Sequence, residues 1–386
     1  MKTGLTSIDI YFLTRELNDE LDSARVDKVY QISGREIKIR VYLPKEGSKE
    51  LVIAPNYLCL TRYQRDAPEQ PSSFAMQLRK HLKGAFIKAI RQYRFDRIIE
   101  FELKRSDGEY FLITELFSNG NIILCNSERR ILGLLEWQRW KDRRLGVGQI
   151  YQYPPGGRNP LEIDLPEFRD ILRGSEKSLV ATLAADLSLG GIYAEELCFN
   201  SEIDKSREPK RLGDDEIQLL FNSFKRLIET IKNEVKEPML ILDESRRYVD
   251  AIPFRLSIYE GFEREGFNTL NEAIDRYFIE SELMEMQKIG EKKIQERLAK
   301  IQRIELEQRE MIRDLEKKSE EYKKIGDLIY QNFQVLEMII KSINEERDRG
   351  ADWSEIGKRF IGKRFNNIRI EDIGRNGSIT VEVEEK

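Results

Sequence analysis

Histidine is almost absent from this sequence, and cysteine is rare. The 386 residues include one histidine, His81, and three cysteines, Cys59, Cys125 and Cys198. Ser-His-Asp catalysis, Cys-His catalysis and multi-histidine metal sites all need imidazoles, and the cysteine spacings match no metal motif. Each cysteine lies in an apolar run, so we expect buried thiols in a reducing compartment. The sequence predicts no catalytic residues, no metal and no cofactor.

Long uncharged apolar runs are also lacking. The N-terminal MKTGLTSIDIYFLTRELNDEL is amphipathic and contains acids, unlike a signal peptide, and no uncharged stretch is long enough to span a membrane. We therefore expect a soluble, cytoplasmic protein without a membrane partner. The formal net charge of -4 excludes a uniformly basic nucleic-acid binder, although separate faces can still act separately.

One segment is locally basic. Between positions 79 and 97 seven basic residues stand against the single acid Asp96, a local excess of six. The basic residues are Arg79, Lys80, Lys83, Lys88, Arg91, Arg94 and Arg97. This run predicts RNA phosphate contacts, with Arg79, Lys80 and Lys83 as candidates. The alternative is a solvated face that happens to be basic.

Hydrophobic periodicity predicts a β-rich first part. Ser7 is the predicted cap of a first helix, and the segments ARVDKVYQIS, EIKIRVYL, ELVIAPN and YLCLTRY have strand patterns. A second helix, SSFAMQLRKHLK, is expected to stop at Gly84. Asp107-Gly108 and Asn119-Gly120 then mark tight hairpins. The first 150 residues are predicted to form a mainly antiparallel β domain with two helices.

Helical patterns begin after YQYPPGGRNP, the best early boundary. Within LSLGGIYAEELC, Gly190 and Gly191 are predicted to join two helices. Such a hairpin can present backbone N–H groups to a phosphate, although a tight turn between packed helices needs glycine for the same steric reason. Strand patterns return in PMLILD and YVDAIPFRLS.

A long charged helix is predicted from about Asn271 to Arg347, a segment without proline. Its apolar positions are spaced as in a coiled-coil seam. They are Ile312, Leu315, Tyr322, Ile325, Ile329, Phe333, Leu336, Ile340 and Ile343. Such a helix would reach roughly 100 Å and needs a partner strand. We expect the returning helix to lie beyond this chain, after a short helix at DWSEIGKRF and a hairpin at Asn376-Gly377.

Three charged residues are ambiguous from pattern alone. Asp96 and Arg97 stand at a predicted strand start, where the arginine could contact a nucleotide and the aspartate a base edge. An ordinary strand-end ion pair is the alternative. Asp9 could likewise be a first-turn acid that suits the helix dipole.

Five separated motifs stand out along the chain: SIDI at 7–10, PSSFAMQLRKHLKG at 71–84, FDRIIEFEL at 95–103, ELFSNGNIIL at 115–124 and KKIGDLIYQNFQVLEMIIKSI at 323–343. In this order they resemble the NEMF/RqcH (NFACT) family, in the archaeal type, over essentially the whole chain. The resemblance implies an α+β fold with a bilobal, mainly antiparallel β N-terminal domain similar to that of formamidopyrimidine-DNA glycosylases. A helix-hairpin-helix domain, a long coiled-coil helix and a small α/β middle domain follow.

The resemblance also implies domain limits. These are an NFACT-N domain at 1–172, a helix-hairpin-helix domain at 173–236, a return segment on NFACT-N at 237–272, a coiled-coil arm at 273–348 and a truncated middle domain at 349–386. The family's C-terminal RNA-binding domain is absent from this order.

The implied function is ribosome-associated quality control. Such proteins bind stalled large ribosomal subunits that carry peptidyl-tRNA and recruit charged tRNA, alanyl-tRNA in bacterial relatives, for untemplated C-terminal tailing. By position, Asp9, Asp96 and Arg97 correspond to residues that the family needs for tRNA binding and tailing. The arm is expected to reach the stalk base, and the unpaired arm of this chain could form a dimer.

Other functions fit the residues less well. A glycosylase of the related fold needs an N-terminal proline amine, whereas this chain begins Met1-Lys2-Thr3-Gly4. An adhesin needs export signals. A non-enzymatic coiled-coil scaffold and a general nucleic-acid-binding protein remain the alternatives.

Overall fold

The structure is a computed structural model that describes residues 2–117, 119–140 and 143–384. The chain divides into two compact units, Met1–Met286 and Gln287–Lys386. Within the described ranges, no helix combines the length and the apolar content that a membrane crossing requires. The finer five-part division of the chain stays a prediction.

An antiparallel sheet of nine strands forms the centre of the first unit, in the order β4-β3-β2-β1-β5-β6-β7-β8-β9. The strands are β1 (Arg25–Gln31), β2 (Ile37–Leu43), β3 (Gly47–Ile53), β4 (Leu58–Thr61), β5 (Phe86–Gln92), β6 (Ile98–Arg105), β7 (Gly108–Glu115), β8 (Asn121–Asn126) and β9 (Ile131–Leu134). The predicted hairpins at Asp107-Gly108 and Asn119-Gly120 are confirmed, since β6, β7 and β8 pair in sequence. The α+β class with a large antiparallel sheet is thereby confirmed.

Two helices pack on this sheet, α1 (Ser7–Glu20) and α2 (Ser73–Leu82). Ser7 does not cap α1 as predicted, because Thr6 holds that position. The Thr6 hydroxyl accepts a hydrogen bond from the Asp9 backbone N–H at 3.1 Å, and the Asp9 carboxylate accepts one from the Thr6 N–H at 2.7 Å. This reciprocal capping box satisfies two N–H groups that the helix itself cannot bond. Helix α2 is capped by Ser72, and the chain turns at Gly84 with φ +81°.

A short hairpin and a helical part follow the large sheet. The hairpin pairs β10 (Gln138–Arg139) with β11 (Arg144–Leu145). The helices are α3 (Leu165–Gly174), α4 (Leu179–Ala185), α5 (Gly191–Asn200) and α6 (Asp214–Lys232). Strands β12 (Met239–Leu242), β13 (Tyr248–Ile252) and β14 (Glu263–Gly266) then form a second sheet, in the order β13-β12-β14. The four helices and this second sheet share one hydrophobic core with α1 and the large sheet, so they form one folded body.

The predicted long helix is interrupted once. Helix α7 (Leu270–Gln331) has 62 residues, and α8 (Phe333–Asp348) follows after Asn332. Along the predicted seam, Ile312, Leu315 and Ile325 are each at least half exposed. The partner helix that would cover these apolar residues stays a prediction.

The end of the described chain has its own small core. It is formed by α8 together with α9 (Trp353–Phe360), β15 (Arg364–Phe365), β16 (Ile368–Ile373) and β17 (Ile379–Val383). The predicted short helix and the hairpin at Asn376-Gly377 are both confirmed. Ile343 of the predicted seam is buried in this core.

Gly120 is the glycine on which the β7–β8 turn depends. Its φ is +67°, and a Cβ atom there would lie 2.5 Å from the Cα of Pro55. We expect Gly120→Ala to lower the free energy of unfolding by about 2–5 kcal/mol, because left-handed strain adds to crowding against backbone. Urea denaturation measures this loss.

Gly47→Ala is the matched control. Gly47 has φ +84° but no neighbouring atom within 4 Å of the added Cβ, so only the strain of about 1–2 kcal/mol is expected. Equal losses in the two variants would show that the approach of Pro55 has no energetic consequence.

Candidate nucleic-acid interface

A cleft of about 960 Å³ opens where several separate chain segments meet. The N-terminal residues 3–7, the β3–β4 turn, the β5–β6 turn, the β7–β8 turn and the helix hairpin of α4 and α5 all contribute to its lining. The lining includes the charged side chains of Arg35, Asp96 and Arg97 and the backbone of Gly190 and Gly191. Four of these five are residues that the sequence singled out.

The β5–β6 turn brings Asp96 and Arg97 to the cleft. Arg94 and Phe95 both adopt positive φ, +44° and +59°, and the buried Phe95 ring fixes the turn in the core. The Asp96 carboxylate accepts a hydrogen bond from the Arg97 backbone N–H at 2.7 Å. The pair therefore lies in the turn before β6 begins, and both residues line the same cleft.

The strand-end ion pair considered from the sequence is not formed. Within the described part of the chain, neither the Asp96 carboxylate nor the Arg97 guanidinium takes part in a salt bridge. The Arg97 side chain is exposed and Asp96 is half-buried. Both therefore remain available to a ligand in the cleft.

Helix α5 begins at the cleft. Its N-cap residue, Gly190, has φ +82°, and a Cβ there would lie 3.0 Å from Cγ2 of Thr6. Glycine thus permits the close approach of the helix hairpin to the start of α1. No side chain caps α5, and Gly190 and Gly191 line the cleft. An uncapped helix N-terminus favours an anion, because its N–H groups and its dipole both point toward negative charge.

Asp9 lies beneath the cleft and has no exposed surface. Its carboxylate accepts hydrogen bonds from the hydroxyl of Thr6 at 2.7 Å and from that of Tyr193 at 3.3 Å. The Lys2 ammonium lies 2.8 Å from the same carboxylate and 3.0 Å from that of Asp250 on β13. Asp9 therefore positions the start of α1 and does not line the cleft.

The charge state of this network follows from its contacts. Burial by itself would lower the pKa of Lys2, but the carboxylates of Asp250 and Asp9 outweigh burial and raise the pKa above its ordinary value. Burial raises the pKa of Tyr193, so its phenol stays neutral and donates to Asp9. The result is one buried cation shared by two carboxylates, joining the N-terminus, α1, α5 and β13.

The basic run from 79 to 97 does not form one surface. Arg79, Lys80 and Lys83 lie on or just after α2, and none of them lines the cleft. The Arg79 Nε donates to the Val29 carbonyl at 2.6 Å, whereas the Lys80 and Lys83 side chains are exposed. Lys88, Arg91 and Arg94 line a different depression beside α1.

Two residues of this region were missed by sequence reasoning. Arg35 lines the cleft and bonds to the Asn119 carbonyl and the Glu136 carboxylate. Lys2 is the buried cation of the network, and its carbonyl partner Ala251 is 249 positions away. Neither residue belongs to a local sequence pattern. The sequence shows that each is positively charged but does not indicate what it contacts.

The burial of the thiols agrees with the sequence analysis. All three cysteines are buried, as predicted. Burial raises the pKa of Cys125 to about 12 and that of Cys198 to about 11, so these thiols are poor nucleophiles. Among the residues that the structure describes, no group of three or more His, Cys, Asp or Glu side chains is arranged to hold a metal ion.

Known proteins resemble this chain along most of its length. The family model described as NFACT N-terminal and middle domains matches residues 6–350. The archaeal Rqc2 homolog aRqcH of Methanocaldococcus jannaschii is 34% identical over 97% of this chain and 57% of its own length. The human ribosome quality control complex subunit NEMF is 26% identical over 92% of this chain and 35% of its own length. This chain thus spans about half or less of these curated relatives.

Solved structures show the same fold at low sequence identity. The N-terminal part of the fibronectin/fibrinogen-binding protein from Streptococcus suis superposes with a TM-score of 0.56 at 24% identity, covering 72% of this chain and 100% of that one. The fibrinogen binding protein from Staphylococcus aureus gives a TM-score of 0.57 at 20% identity, covering 71% and 98%. The match of the family model over residues 6–350 and the 34% identity to the archaeal Rqc2 homolog aRqcH show that the chain belongs to the NFACT family.

Proposed function

We propose that this chain is the tRNA-binding part of a ribosome quality control factor. The complete protein would hold a stalled large ribosomal subunit with its peptidyl-tRNA and recruit charged tRNA, alanyl-tRNA in particular, for untemplated tailing of the nascent chain. Relatives named as ribosome quality control subunits support this function. The observation that carries the proposal is the convergence of Asp96, Arg97 and the α5 N-terminus on one cleft.

The chemistry of the cleft suits a nucleic acid. Arg97 offers a planar guanidinium with five donors, which can bond a phosphate or the edge of a base. The start of α5 offers backbone N–H groups, which bind phosphate without reading sequence. Asp96 has an acceptor oxygen that can bond an exocyclic amine of a base. Asp9 supports these groups from beneath through Lys2, Thr6 and Tyr193.

Other parts of the chain are assigned secondary roles. Lys80 and Lys83 are exposed and near Arg79, so we propose them as additional phosphate contacts outside the cleft. The coiled-coil arm would contact the stalk base of the large subunit. The exposed apolar stripe on α7 supports a requirement for a partner helix, which a second copy of this chain could supply as a dimer.

An enzymatic function is disfavoured by the state of the available amine. The Lys2 side chain, near the start of the chain, is 4% exposed and ion-paired with Asp9 and Asp250. A protonated, buried amine cannot attack a sugar carbon. A pure coiled-coil scaffold would not need the open cleft, and it would show no tRNA affinity.

The sharpest prediction concerns the cleft pair. We expect Arg97→Ala and Asp96→Ala in the complete protein to abolish tailing while leaving the melting temperature and subunit binding unchanged. Losing one such contact costs about 1–3 kcal/mol, which is roughly ten- to a hundredfold in tRNA affinity. Filter binding with labelled tRNA and a tailing reaction on stalled subunits measure the two effects.

Two further variants serve as controls. Arg97→Lys keeps the charge but not the planar fork, so it should stay defective if geometry matters. Arg91→Ala removes an exposed arginine of β5 that pairs with Glu102 at 2.9 Å outside the cleft, and it should bind tRNA normally. Normal tailing by a folded Arg97→Ala protein would rule out the proposed role of the cleft.

A second prediction concerns the buried network. Lys2→Met leaves Asp9 and Asp250 buried without their cation and should lower the free energy of unfolding by roughly 3–5 kcal/mol. The wild-type protein should also lose stability as the pH rises above about 10.4, the pKa of an unfolded lysine, because the folded pKa of Lys2 is raised. Urea denaturation at neutral and at alkaline pH measures both effects.

Lys205→Met is the control for this variant. Lys205 pairs with Glu195 on the surface, where water screens the ion pair, so its loss should change the free energy of unfolding far less than the loss of Lys2. If Lys2→Met were as stable as Lys205→Met, the network would not hold the cleft in place.

A third prediction concerns ionic strength. The chain should bind tRNA weakly, and the logarithm of the affinity should fall linearly with the logarithm of the salt concentration. Changing Lys80 and Lys83 together to alanine should reduce the slope by about 1.5, if each lysine neutralises one phosphate. An unchanged slope would show that Lys80 and Lys83 do not contact tRNA phosphates. An affinity that does not depend on salt concentration would contradict phosphate contacts altogether.

A further inference from the structure

The β10–β11 hairpin carries exposed tryptophans that the cleft does not use. Trp137 is 56% exposed and Trp140 is 43% exposed. They are two of the three tryptophans in the sequence. Large aromatic rings are normally buried, so two exposed rings on one short hairpin indicate a contact surface. The two residues stand on either side of β10.

Arginines surround these rings. Between positions 130 and 152 the sequence has five basic residues and two acids, a formal excess of three. Arg130, Arg139 and Arg144 are exposed, and within the described ranges none of them forms a salt bridge. The Arg144 guanidinium lies 5.7 Å from the Trp137 ring centre. Together with Trp140, these three arginines line a depression of about 640 Å³. We call Arg130, Trp137, Arg139, Trp140 and Arg144 the arginine–tryptophan surface.

The fold holds this surface in place. Arg143 is buried beneath the hairpin, pairs with Glu115 at the end of β7, and donates from Nε to the Gln152 carbonyl at 2.6 Å. The Asn121 amide donates to the Glu136 carbonyl at 2.9 Å and to the Gln138 side chain at 3.0 Å. These hydrogen bonds and the buried ion pair fix the position of the β10–β11 hairpin.

Residues that neighbour the β10–β11 hairpin also contact the lining of the cleft. Glu136 pairs with Arg35, and Arg35 lines the cleft. Leu116, the residue after Glu115, also lines the cleft and donates its backbone N–H to the Arg97 carbonyl at 2.8 Å. Residues that hold the hairpin are thus bonded to residues that line the cleft.

We propose that the arginine–tryptophan surface binds unpaired RNA nucleotides, with bases stacked on Trp137 and Trp140 and phosphates held by the arginines. This inference rests on the proposed function, because the RNA in the cleft and on this surface would be the same molecule. Alternating aromatic and basic side chains are typical of proteins that hold single strands, since every base has a face to stack. Paired RNA hides its base faces, so loops or ends are the expected targets.

The charges favour RNA over an acidic protein, which is the competing occupant. Ile150 is exposed in the same depression and would suit a protein partner. However, these three arginines form no salt bridge with any described residue, which suits phosphates, and the planar guanidinium also stacks on bases.

The test uses the whole 386-residue chain with Trp353→Phe, so that emission reports Trp137 and Trp140 alone. A single-stranded oligouridylate of about ten nucleotides should quench this emission strongly, and a duplex of equal length should quench it weakly. Trp140→Ala should weaken oligouridylate binding by about tenfold, whereas Trp140→Phe should largely restore it because the ring is kept. Arg144→Gln should weaken binding and lower the salt slope by about 0.7.

Binding is followed for the tryptophan variants by fluorescence anisotropy of a labelled oligouridylate, and circular dichroism checks that they melt as the parent does. Three results would overturn the proposal. These are unchanged affinity when Trp137 and Trp140 are both alanine, equal binding of duplex and single strand, and quenching by polyglutamate but not by oligouridylate. Arg97→Ala is read out by tRNA affinity, so failure of the cleft and failure of this surface are distinguishable.

Discussion

A lysine buried between two aspartates is the interaction on which the functional region depends. Lys2 contacts Asp9 and Asp250, and these belong to the first helix and to the second, smaller sheet. Removing a charge from water is costly, and only a full set of partners offsets that cost. Here the Lys2 ammonium bonds two carboxylates and the Ala251 carbonyl. The Tyr193 hydroxyl donates a hydrogen bond to Asp9, and the Tyr259 hydroxyl donates one to Asp250. The N-terminus is therefore fixed to residues far along the chain.

The position of the cleft follows from that fixed point. Asp9 completes the capping box of α1 with the N-cap residue Thr6, and the Thr6 side chain lies against Gly190 where the helix hairpin turns. The start of α5 is thereby held opposite the β5–β6 turn, whose Asp96 and Arg97 face the same space. Asp9 and Arg97 are thus separate in role: the first sets the geometry from inside, and the second is exposed for a ligand. Under the proposed function, a variant at either position would weaken tRNA binding, whereas only a variant at Asp9 should also lower the free energy of unfolding.

Local sequence signals predicted the fold well where neighbours in sequence are also neighbours in space. The hairpins at Asp107-Gly108 and Asn376-Gly377 were found because a tight turn needs those residue types. The basic run failed as a single surface for the opposite reason. A helix, a strand and a turn each direct their side chains differently, so Arg79, Arg91 and Arg97 end on different faces.

Local pattern and apolar surroundings were enough to predict the α+β class, the antiparallel hairpins, the helix hairpin at Gly190 and Gly191, and the burial of the three thiols. Through its resemblance the sequence also selected Asp9, Asp96 and Arg97. The burial of Asp9 and the exposure of Arg97 come from long-range packing. The same packing brings Lys2, Arg35 and the arginine–tryptophan surface close to them. Those facts depend on contacts between residues up to about 250 positions apart, such as Lys2 with Ala251, and no local spacing records such contacts.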